Sequence, residues 1–393
     1  MRPPPRVDGA LLGCYVTSYL EDLRGTLAGM EWAELRRFAE ALLDARERDR
    51  QVFILGNGGS AATASHMAVD LGKGTVDRGA PGFRRFRAIG LADNTSLITA
   101  LGNDLSYEDV FVEQLRPLLN PGDLVVAITA SGNSPNVLKA LAFARDSGAV
   151  TVGLLGFGGG RARGLVDIPV VVASRNYGIA EDFHVIVQHI LTQYLRRLLA
   201  GPSRPVVFLD RDGVINQRAA AHSYITRWED FRFIEGVTGT LRTLAELGFA
   251  LVVVTNQQGV GKGILPAGTL AGIHERMTAA LAGQGVTIDA VFCCPHVDSD
   301  GCLCRKPRPG LLYQALNELP YLVDVAGSVL IGDSPSDIEA GAAVGLRTIL
   351  IGQEPATAAP TWRARALADA IPLLAAGGTA ALYEPPRGAV QPT

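Results

Sequence analysis

Two aspartates, Asp210 and Asp212, directly follow the apolar run Val206–Leu209, and their type and spacing suit metal or phosphate chemistry. The run predicts a buried strand, and residues i and i+2 of an extended chain point to the same side. We therefore expect both carboxylates to face one pocket. Because two close carboxylates repel each other unless a cation lies between them, the spacing predicts a Mg²⁺ site with one acid left for chemistry.

A second candidate site contains sulfur. Four of the five cysteines lie close together in the chain, with His296 among them. Three thiolates and one imidazole suit a tetrahedral structural Zn²⁺, so we expect Cys294, His296, Cys302 and Cys304 to bind it. Cys293 ends a strand-like run and is expected to lie in the core. Clustered cysteines, in a chain whose N-terminus lacks a signal-peptide core, favour metal binding over disulfides and predict a cytoplasmic protein.

In the first half, the strand predicted at Gln51–Leu55 leads into the glycine-rich loop Gly56–Ser60, G-N-G-G-S, and then into a helix. Free backbone N–H groups and the helix dipole make such a loop an anion site. A tight turn without a ligand would explain the same glycines. This loop by itself therefore leaves both interpretations open.

The same arrangement recurs after the strand predicted at Leu124–Ile128, where hydroxyls at Thr129, Ser131 and Ser134 precede another helix. Ser134 also suits the N-cap position, because Pro135 follows it at the first position of the helix. Three hydroxyls exceed what capping requires. We therefore favour phosphate binding at this loop.

The elements that must position these groups alternate between strands and helices, a pattern that predicts parallel sheets. We expect an α/β fold with two doubly wound parallel-sheet domains, at 1–200 and 206–355, joined by a Gly/Pro linker at 201–205. Residues 356–393 are expected to contain a covering helix at Trp362–Ala370 and a flexible tail from Ala375 onward.

Bulk properties exclude two classes of partner. The net charge of −3 gives no electrostatic basis for nucleic-acid binding. No apolar run approaches the roughly 20 residues of a membrane span. Apolar residues at helical spacing within residues 11–50 predict two helices that pack in the core or in an oligomer interface.

The first half contains G-N-G-G-S, then His66 on the following helix, then G-N-D ending at Asp104, then S-G-N-S. This ordered set resembles sugar isomerase (SIS) domains and, among them, the phosphoheptose isomerases. The resemblance covers about residues 10–200 and implies isomerisation of sedoheptulose 7-phosphate. The implied substrate contacts are Asn57, Gly58, Gly59 and Asp104 for the sugar and Thr129, Ser131 and Ser134 for the phosphate.

The SIS resemblance also implies an acid/base and metal set on two helices. It gives Asp70 and His189 the acid/base roles that ketose–aldose isomerisation requires. His66, Asp70, Glu181 and His189 would surround a Zn²⁺, with Glu181 also beside the substrate. Asp70 stands where the family usually has Glu, and Glu181 where it usually has Gln. His184 matches no role and is expected to be structural.

The second half resembles haloacid dehalogenase (HAD) phosphatases through four signatures in the family's order. They are D-R-D-G-V-I-N from Asp210, T-N-Q from Thr255, R-K-P from Arg305 and G-D-S-P-S-D from Gly332. The resemblance implies a Rossmann-like sheet with Asp210 as the nucleophile that forms an aspartyl-phosphate. Asp212 would be the general acid for the leaving oxygen and then the base for water.

The HAD resemblance also implies the ligands of the metal and the phosphate. Mg²⁺ would bind Asp210, the backbone carbonyl of Asp212 and Asp333, with Asp337 in support. Lys306 would offset the charge of the transition state. The residues expected to hold the phosphoryl oxygens are Thr255, Asn256 and Gln257.

The cysteine loop just before Arg305 makes the second half similar to D-glycero-D-manno-heptose 1,7-bisphosphate phosphatases, and histidinol-phosphate phosphatases share this loop. The similarity implies that Arg305 recognises the substrate and that Ser223 and Tyr224 belong to a substrate loop. Ser334 stands where the family often has Lys.

Together the two resemblances imply a bifunctional enzyme of heptose biosynthesis, which isomerises sedoheptulose 7-phosphate and removes the C7 phosphate of heptose 1,7-bisphosphate. A C1 kinase must act between these steps, so a separate kinase is an expected partner. A homo-oligomer held by the SIS domain is also expected. The alternative is a non-catalytic sugar-phosphate-binding or assembly module fused to a phosphatase for another substrate, such as histidinol phosphate.

Overall fold

The computed structural model describes residues 7–30, 32–76, 83–220, 223–353, 355 and 358–375. The chain divides between Ala200 and Gly201 into two compact units. Each unit contains one parallel sheet covered on both faces, which confirms the predicted α/β class. The predicted flexible tail lies outside these residues, apart from Ala375. No helix among the described residues has the length and apolarity to cross a bilayer.

The first unit has a five-stranded sheet in the order β2-β1-β3-β4-β5, with every neighbouring pair parallel. Its strands are β1 (Gln51–Gly56), β2 (Arg87–Gly90), β3 (Leu124–Thr129), β4 (Val150–Leu155) and β5 (Ile168–Val171). Its helices are α1 (Gly9–Ala28), α2 (Trp32–Glu47), α3 (Gly59–Val69), α4 (Thr95–Asp104), α5 (Val112–Leu115), α6 (Pro135–Asp146) and α7 (Tyr177–Leu199). A π-helical turn, Asp70–Gly74, continues α3.

Alternate residues of the central strands pack on opposite faces of this sheet, as the pleat requires. Val52 and Ile54 of β1 belong to one apolar cluster, whereas Phe53 and Leu55 belong to the other. A strand that is apolar on both faces must be covered on both, which is why β1 reads as a continuous apolar run.

The second unit has a six-stranded sheet in the order β11-β10-β9-β6-β7-β8, again parallel throughout. Its strands are β6 (Val206–Leu209), β7 (Ala250–Asn256), β8 (Ala290–Cys294), β9 (Val329–Gly332), β10 (Arg347–Ile351) and β11 (Trp362–Ala364). Its helices are α8 (Val237–Glu246), α9 (Ala267–Ala282), α10 (Gly310–Glu318), α11 (Pro335–Val344) and α12 (Ala370–Ala375).

The helix predicted at Trp362–Ala370 is wrong. Trp362–Ala364 form β11, which pairs with β10, and α12 begins only at Ala370. A strand of three residues is too short for its periodicity to be recognised in the sequence. Pairing with the edge of the sheet determines its conformation instead. The sheet of the second unit therefore extends beyond the boundary predicted at residue 355.

Each sheet has a topological switch point, where the chain connections from two adjacent strands run to opposite sides of the sheet. In the first sheet this point lies between β1 and β3, and in the second it lies between β6 and β9. Open parallel sheets bind ligands in the crevice beyond the carboxyl ends of the strands at such points. The loops that follow these four strands are therefore where each unit is expected to place its site.

Candidate active sites

The centre of the second unit's site is a buried ion-paired group that links the residue after β6, strand β7 and the first turn of α11. Lys306 donates from Nζ to Oδ1 of Asp210 at 2.7 Å and to the carbonyl of Val254 at 2.8 Å, and its Nζ lies 2.5 Å from Oδ1 of Asp337. All three charged side chains are buried. Burial favours the neutral amine, but the two carboxylates outweigh it and raise the pKa of Lys306.

Asp210 lies directly beyond β6, facing this lysine. Burial raises the pKa of Asp210 to about 6; Lys306 opposes the rise, and Asp337 and Asp212 add to it. An ionised carboxylate at this place is a nucleophile that has lost part of its water shell but keeps a neighbouring cation.

Asp212 is held by three donors. Its carboxylate accepts hydrogen bonds from Arg211 at 2.8 Å, from Asn216 at 2.8 Å and from Gln257 at 2.8 Å. Burial would raise its pKa, but the charge of Arg211 and these hydrogen bonds outweigh burial, so the pKa of Asp212 lies below its usual range. Without substrate, Asp212 is therefore ionised and in the form that a general base requires.

Arg211 is the largest fully buried side chain and is itself held on both sides. Its guanidinium donates to Asp212 and to Oε1 of Gln257 at 3.1 Å, and it lies 3.0 Å from Nε2 of His274 on α9. Burial, together with the charge of Arg211, lowers the pKa of His274 to about 4, so its imidazole is neutral.

Three carboxylates could hold a metal here. Asp210, Asp333 and Asp337 each place an oxygen within 4.8 Å of the others. A set of hard oxygen donors suits Mg²⁺. Asp333 follows β9 and forms an ion pair with Arg218 at 2.6 Å. Burial raises the pKa of Asp333; Arg218 opposes this rise, and Asp210 adds to it.

Gly213 makes room for this arrangement. Its φ of 90° lies in the region that favours glycine, and a Cβ there would overlap the carboxylate of Asp333. The glycine of the D-R-D-G motif therefore allows the fourth signature to approach the first.

The surrounding cavity has a volume of about 400 Å³. That volume suits a small polar substrate. Its lining includes both aspartates of the first signature, the T-N-Q residues and four cationic side chains, Arg211, Arg218, Arg305 and Lys306. Ser223 and Tyr224 also line it.

Cys294, His296, Cys302 and Cys304 form one cluster. The sulfur–sulfur distances are 3.7, 3.3 and 3.6 Å, and Nδ1 of His296 lies 3.6 and 3.2 Å from the sulfurs of Cys294 and Cys304. Bond lengths to tetrahedral zinc require edges of about 3.5–3.8 Å, so three of these five distances match and the other two are slightly shorter. Burial and the neighbouring thiols raise the pKa of Cys294 to about 12. Cys293 is half-buried and outside the cluster, so its predicted place in the core is wrong.

In the first unit, the loops after β1 and β3 are joined by their amides. Asn57 and Asn136 exchange two hydrogen bonds of 2.9 Å, and the hydroxyl of Tyr107 donates to Asn57 at 3.2 Å. Asn136 is buried. The two predicted anion loops are therefore tied together beyond the ends of adjacent strands.

The hydroxyl loop is folded against a glycine-rich turn. Thr129 accepts a hydrogen bond from the backbone N–H of Gly132, and Ser131 accepts one from Asn133. A Cβ at Gly132 would overlap the carbonyl of Gly159. Ser134 occupies the N-cap position but makes no capping hydrogen bond with its side chain. Its hydroxyl is therefore not needed by the helix, which supports the anion-binding interpretation.

Helix α3, the π-helical turn that continues it, and helix α7 bring His66, Asp70 and His189 together. Oδ2 of Asp70 lies 3.5 Å from Nε2 of His66 and 3.9 Å from Nε2 of His189. The two imidazole rings meet edge to face at 5.0 Å. Asp70 begins the π-helical turn, a feature that is common at functional sites. Gln188 is buried and lies 3.5 Å from Nδ1 of His66.

Glu181 is not a member of this cluster. Its carboxylate lies beside Gly59 at the start of α3, where a Cβ on the glycine would lie 2.8 Å from Oε2. Glu181 therefore faces the G-N-G-G-S loop, consistent with contact to a ligand there.

Asp104 is exposed at the end of α4, where Asn103 donates to it at 2.8 Å. His184 is buried, as predicted for a structural residue, and burial lowers its pKa to about 4.

Comparisons with known proteins separate along the same boundary. A family model described as SIS domain matches residues 17–156, and one described as HAD-hydrolase-like matches residues 303–371. Phosphoheptose isomerase of Trichlorobacter lovleyi is 38% identical over 191 residues, which are 48% of this chain and 95% of that protein. D-glycero-beta-D-manno-heptose-1,7-bisphosphate 7-phosphatase of Yersinia pestis is 39% identical over 180 residues, which are 42% of this chain and 93% of that protein.

The chain belongs to both of these families. Its first half is a member of the phosphoheptose isomerase family and its second half a member of the heptose-bisphosphate phosphatase family. A solved structure of the phosphatase from B. bronchiseptica, complexed with magnesium and phosphate, is 32% identical, covers 44% of this chain and 99% of its own, and has a TM-score of 0.40.

Within the phosphatase half, two amides predicted to hold phosphoryl oxygens make other contacts. Asn256 bonds with both amide atoms to the main chain of Lys306, at 3.0 and 3.1 Å. Gln257 donates to Asp212 and to Thr255. Arg305 pairs with Asp298. These amides still line the cavity, but their visible role is to position the lysine and the second aspartate.

Sequence reasoning missed Arg211, His274 and Asn136. Arg211 lies inside the first signature, but its side chain turns back to Asp212 and Gln257 in the same cavity, which alternation along a strand does not predict. His274 and Asn136 lie on helices and carry no local pattern that marks them. Their contacts depend on which elements pack together.

Proposed function

We propose that this protein catalyses two steps of heptose biosynthesis. The first unit isomerises sedoheptulose 7-phosphate to D-glycero-D-manno-heptose 7-phosphate. The second hydrolyses the C7 phosphate of D-glycero-D-manno-heptose 1,7-bisphosphate. The observation that carries this proposal is the ion-paired group of Asp210, Lys306 and Asp337, in a chain whose two halves each match more than nine tenths of a relative of known activity.

In the phosphatase reaction, Asp210 attacks phosphorus, an O–P bond forms, and the bond between phosphorus and the C7 oxygen breaks. Lys306 lies where negative charge accumulates on the transferring group. Asp212 gives the leaving oxygen a proton and later removes one from the attacking water. Because Asp212 is ionised in the free protein, the acid step requires the bound phosphate charge to raise its pKa.

Two metal ions are part of the proposal for this unit. Asp210, Asp333 and the backbone carbonyl of Asp212 would hold Mg²⁺, which neutralises phosphate charge when bound. Asp337 is engaged by Lys306 and supports the site through it. The four-residue cysteine and histidine cluster would hold a structural Zn²⁺, which fixes the loop that carries Arg305 and Lys306.

In the isomerase reaction, a base removes the C1 proton of the ketose and returns a proton at C2, while an acid moves a proton between the two oxygens. Asp70 and His189 are the proposed pair, with 3.9 Å between Oδ2 of Asp70 and Nε2 of His189. The cluster that contains them and His66 also suits a Zn²⁺. A ring nitrogen of His189 that binds zinc cannot accept a proton at the same time, so the metal and the proton-transfer role would need different nitrogens.

The two steps are not consecutive, because a kinase must add the C1 phosphate between them. We therefore propose a separate heptose 7-phosphate kinase as a pathway partner in the cytoplasm. We also propose a homo-oligomer. The helix α1 has no buried residue and exposes Leu11, Leu12, Tyr15, Val16 and Leu20. An apolar face of this kind is typical of an interface.

Two assays on the full chain test the proposal. Incubation with sedoheptulose 7-phosphate and a divalent metal should produce the aldose; absence of turnover would leave the first unit as a binding or assembly module. Incubation with the heptose bisphosphate and Mg²⁺ should release one phosphate. A higher kcat/KM for histidinol phosphate than for the heptose bisphosphate would instead assign the second unit to histidinol phosphate.

A further inference from the structure

The four cations that line the phosphatase cavity are held in different ways. Lys306 and Arg211 are buried, and each is engaged by carboxylates of the reaction centre. Arg305 is 17% exposed and pairs with the exposed Asp298. Arg218 is 50% exposed and pairs with Asp333, the acid proposed to bind Mg²⁺. Lys306 also pairs with a proposed metal ligand, Asp210, but it keeps Asp337 and the carbonyl of Val254 as partners. Arg218 is thus the exposed lining cation whose described ion-pair partner would bind the metal.

The ion pair of Arg218 is a built feature of the site. Its Nη2 lies 2.6 Å from Oδ1 of Asp333 and donates to the backbone carbonyl of the same residue at 3.3 Å. Both side chains occupy the space that Gly213 leaves open, since a Cβ there would overlap Asp333 and lie 2.9 Å from Nε of Arg218. The arginine therefore approaches Asp333 from the cavity side of the D-R-D-G motif.

We propose that Arg218 exchanges partners during the phosphatase reaction. In the metal-free protein it neutralises Asp333, and when the divalent ion takes Asp333, the guanidinium turns into the cavity and binds the phosphate that is not transferred. This inference rests on the proposed function, because it requires a substrate with two phosphates. It makes Arg218 a residue that determines the preference for a bisphosphate.

Charge explains why the exchange is favourable. A divalent ion beside Asp333 replaces the single charge of Arg218 and repels it. Because half of the Arg218 side chain is exposed, its movement leaves no buried cation without a partner. A planar guanidinium is also well suited to bind phosphate through two parallel hydrogen bonds.

Arg305 cannot make the same exchange. Its partner Asp298 is 84% exposed and does not line the cavity, so metal binding at the aspartate cluster leaves that pair intact. Lys306 is bound on three sides and serves the transferred phosphate.

The metal half of the inference is tested without substrate, by titrating Mn²⁺ into the metal-free full chain and following free Mn²⁺ by electron paramagnetic resonance. The Mn²⁺ binding that is lost in Asp333→Asn is the binding at this site and is thereby distinguished from binding at other metal sites. Arg218→Gln should bind Mn²⁺ about three- to tenfold more tightly than the unsubstituted protein, because a competing cation is lost. Arg218→Lys should stay near the unsubstituted value. Unchanged or weaker binding by Arg218→Gln would overturn the exchange.

The phosphate half is tested with two substrates that differ only in the C1 phosphate, the heptose 1,7-bisphosphate and the heptose 7-phosphate. Arg218→Gln should raise KM for the bisphosphate at least about tenfold, with kcat within about twofold and little change for the monophosphate. Arg227→Gln removes an exposed arginine that does not line the cavity and should leave both substrates unaffected. Equal losses on both substrates would show that Arg218 serves the transferred phosphate and would overturn the inference.

Failure of the proposed function looks different. If the unsubstituted protein hydrolyses neither sugar phosphate, the proposed activity and the phosphate half of the inference both fall, while the Mn²⁺ titration still decides the exchange. If the unsubstituted protein prefers the bisphosphate and Arg218→Gln keeps that preference, the proposed activity stands and the role of Arg218 is overturned.

Discussion

Lys306 in the second unit and His189 in the first each face a carboxylate, at 2.7 Å from Asp210 and 3.9 Å from Asp70. The lysine is buried and bound on three sides. The histidine is 41% exposed, and its neighbour His66 is 47% exposed. The two sites thus use the same kind of sheet crevice but differ in how completely one chain encloses their charged groups.

This difference has consequences for stability. In the phosphatase site, each buried charge is compensated by another, so removing one leaves its partner buried and unpaired, which is costly. In the isomerase site the groups face solvent, and water can replace a lost partner. We therefore expect the first site to tolerate substitution without loss of fold and to gain its final geometry from a bound metal, the substrate or a second copy of the chain.

The largest expected effect separates the two activities. Asp210→Asn should reduce phosphate release at least about 10³-fold, because the proposed nucleophile is lost, and should leave isomerisation unchanged. Asp70→Asn should reduce isomerisation by about 10²–10⁴-fold and leave phosphate release unchanged. Coupled phosphate detection and aldose formation measure the two rates on the same preparation. Loss of both activities in either variant would show that the units are not independent.

The next prediction compares how much a buried and a half-exposed charged or titratable side chain contribute to the stability of their units. Lys306→Met should destabilise the second unit by about 3–5 kcal/mol, because Asp210 and Asp337 lose their shared buried cation. His189→Gln, at a half-exposed position, should change the stability of the first unit by only about 0.5 kcal/mol. Chemical denaturation, monitored by hydrogen exchange in each unit separately, gives the free energy of unfolding of both units. Similar losses in the two variants would contradict the contrast between the sites.

The cysteine cluster gives a smaller but more specific effect. Cys304→Ser should lower the zinc content by about one ion per chain relative to the unsubstituted protein and lower phosphate release, because the loop before Arg305 and Lys306 is no longer fixed. Cys293→Ser is the matched control, since that thiol is adjacent in sequence but outside the cluster. Elemental analysis of purified protein gives the metal content. Full zinc retention in Cys304→Ser would exclude this cluster as the ligand set.

The smallest effect concerns acid stability. Burial lowers the pKa of His184 in the first unit to about 4, and burial with Arg211 lowers that of His274 in the second to about 4. Because the folded pKa lies below the unfolded value, the stability from a neutral imidazole is complete above about pH 6.5 and is lost as the pH falls towards 4. For His184 the full loss is at most about 3 kcal/mol.

His184→Leu should therefore flatten the pH dependence of unfolding of the first unit between these values, while the second unit, with His274 intact, keeps its slope. Urea titrations at several pH values, with hydrogen exchange to separate the units, provide the measurement. An unchanged slope in the first unit would show that another group causes its acid sensitivity.

Much of the second site was predictable because its signatures are local. Val206–Leu209 is a strand with the predicted bounds, and the acids at its end face the cavity. The four residues predicted to bind zinc do form one cluster, since they lie close together in the chain. In the first unit, His66 and Asp70 share a helix face because they are four residues apart. Their meeting with His189 was expected from family resemblance and not from spacing.

Other features could not be read from the sequence. The end strand Trp362–Ala364 is defined by its pairing with β10, and the bonds of Asn256 to the main chain of Lys306 depend on two distant loops that meet. The place of Glu181 beside Gly59 depends likewise on how α7 packs against the start of α3. Local patterns carry no information about such partners.

By itself the sequence determined which groups stand at the strand ends, because an apolar strand followed by i and i+2 aspartates gives both acids one direction. Only the tertiary structure decided which groups face them. The pairing of Leu209 with Ile331 brings Asp333 to Asp210, and the packing of α9 places His274 against Arg211. The physical reason is that direction along a strand is a local property of the chain, whereas charge compensation depends on neighbours that are distant in the sequence.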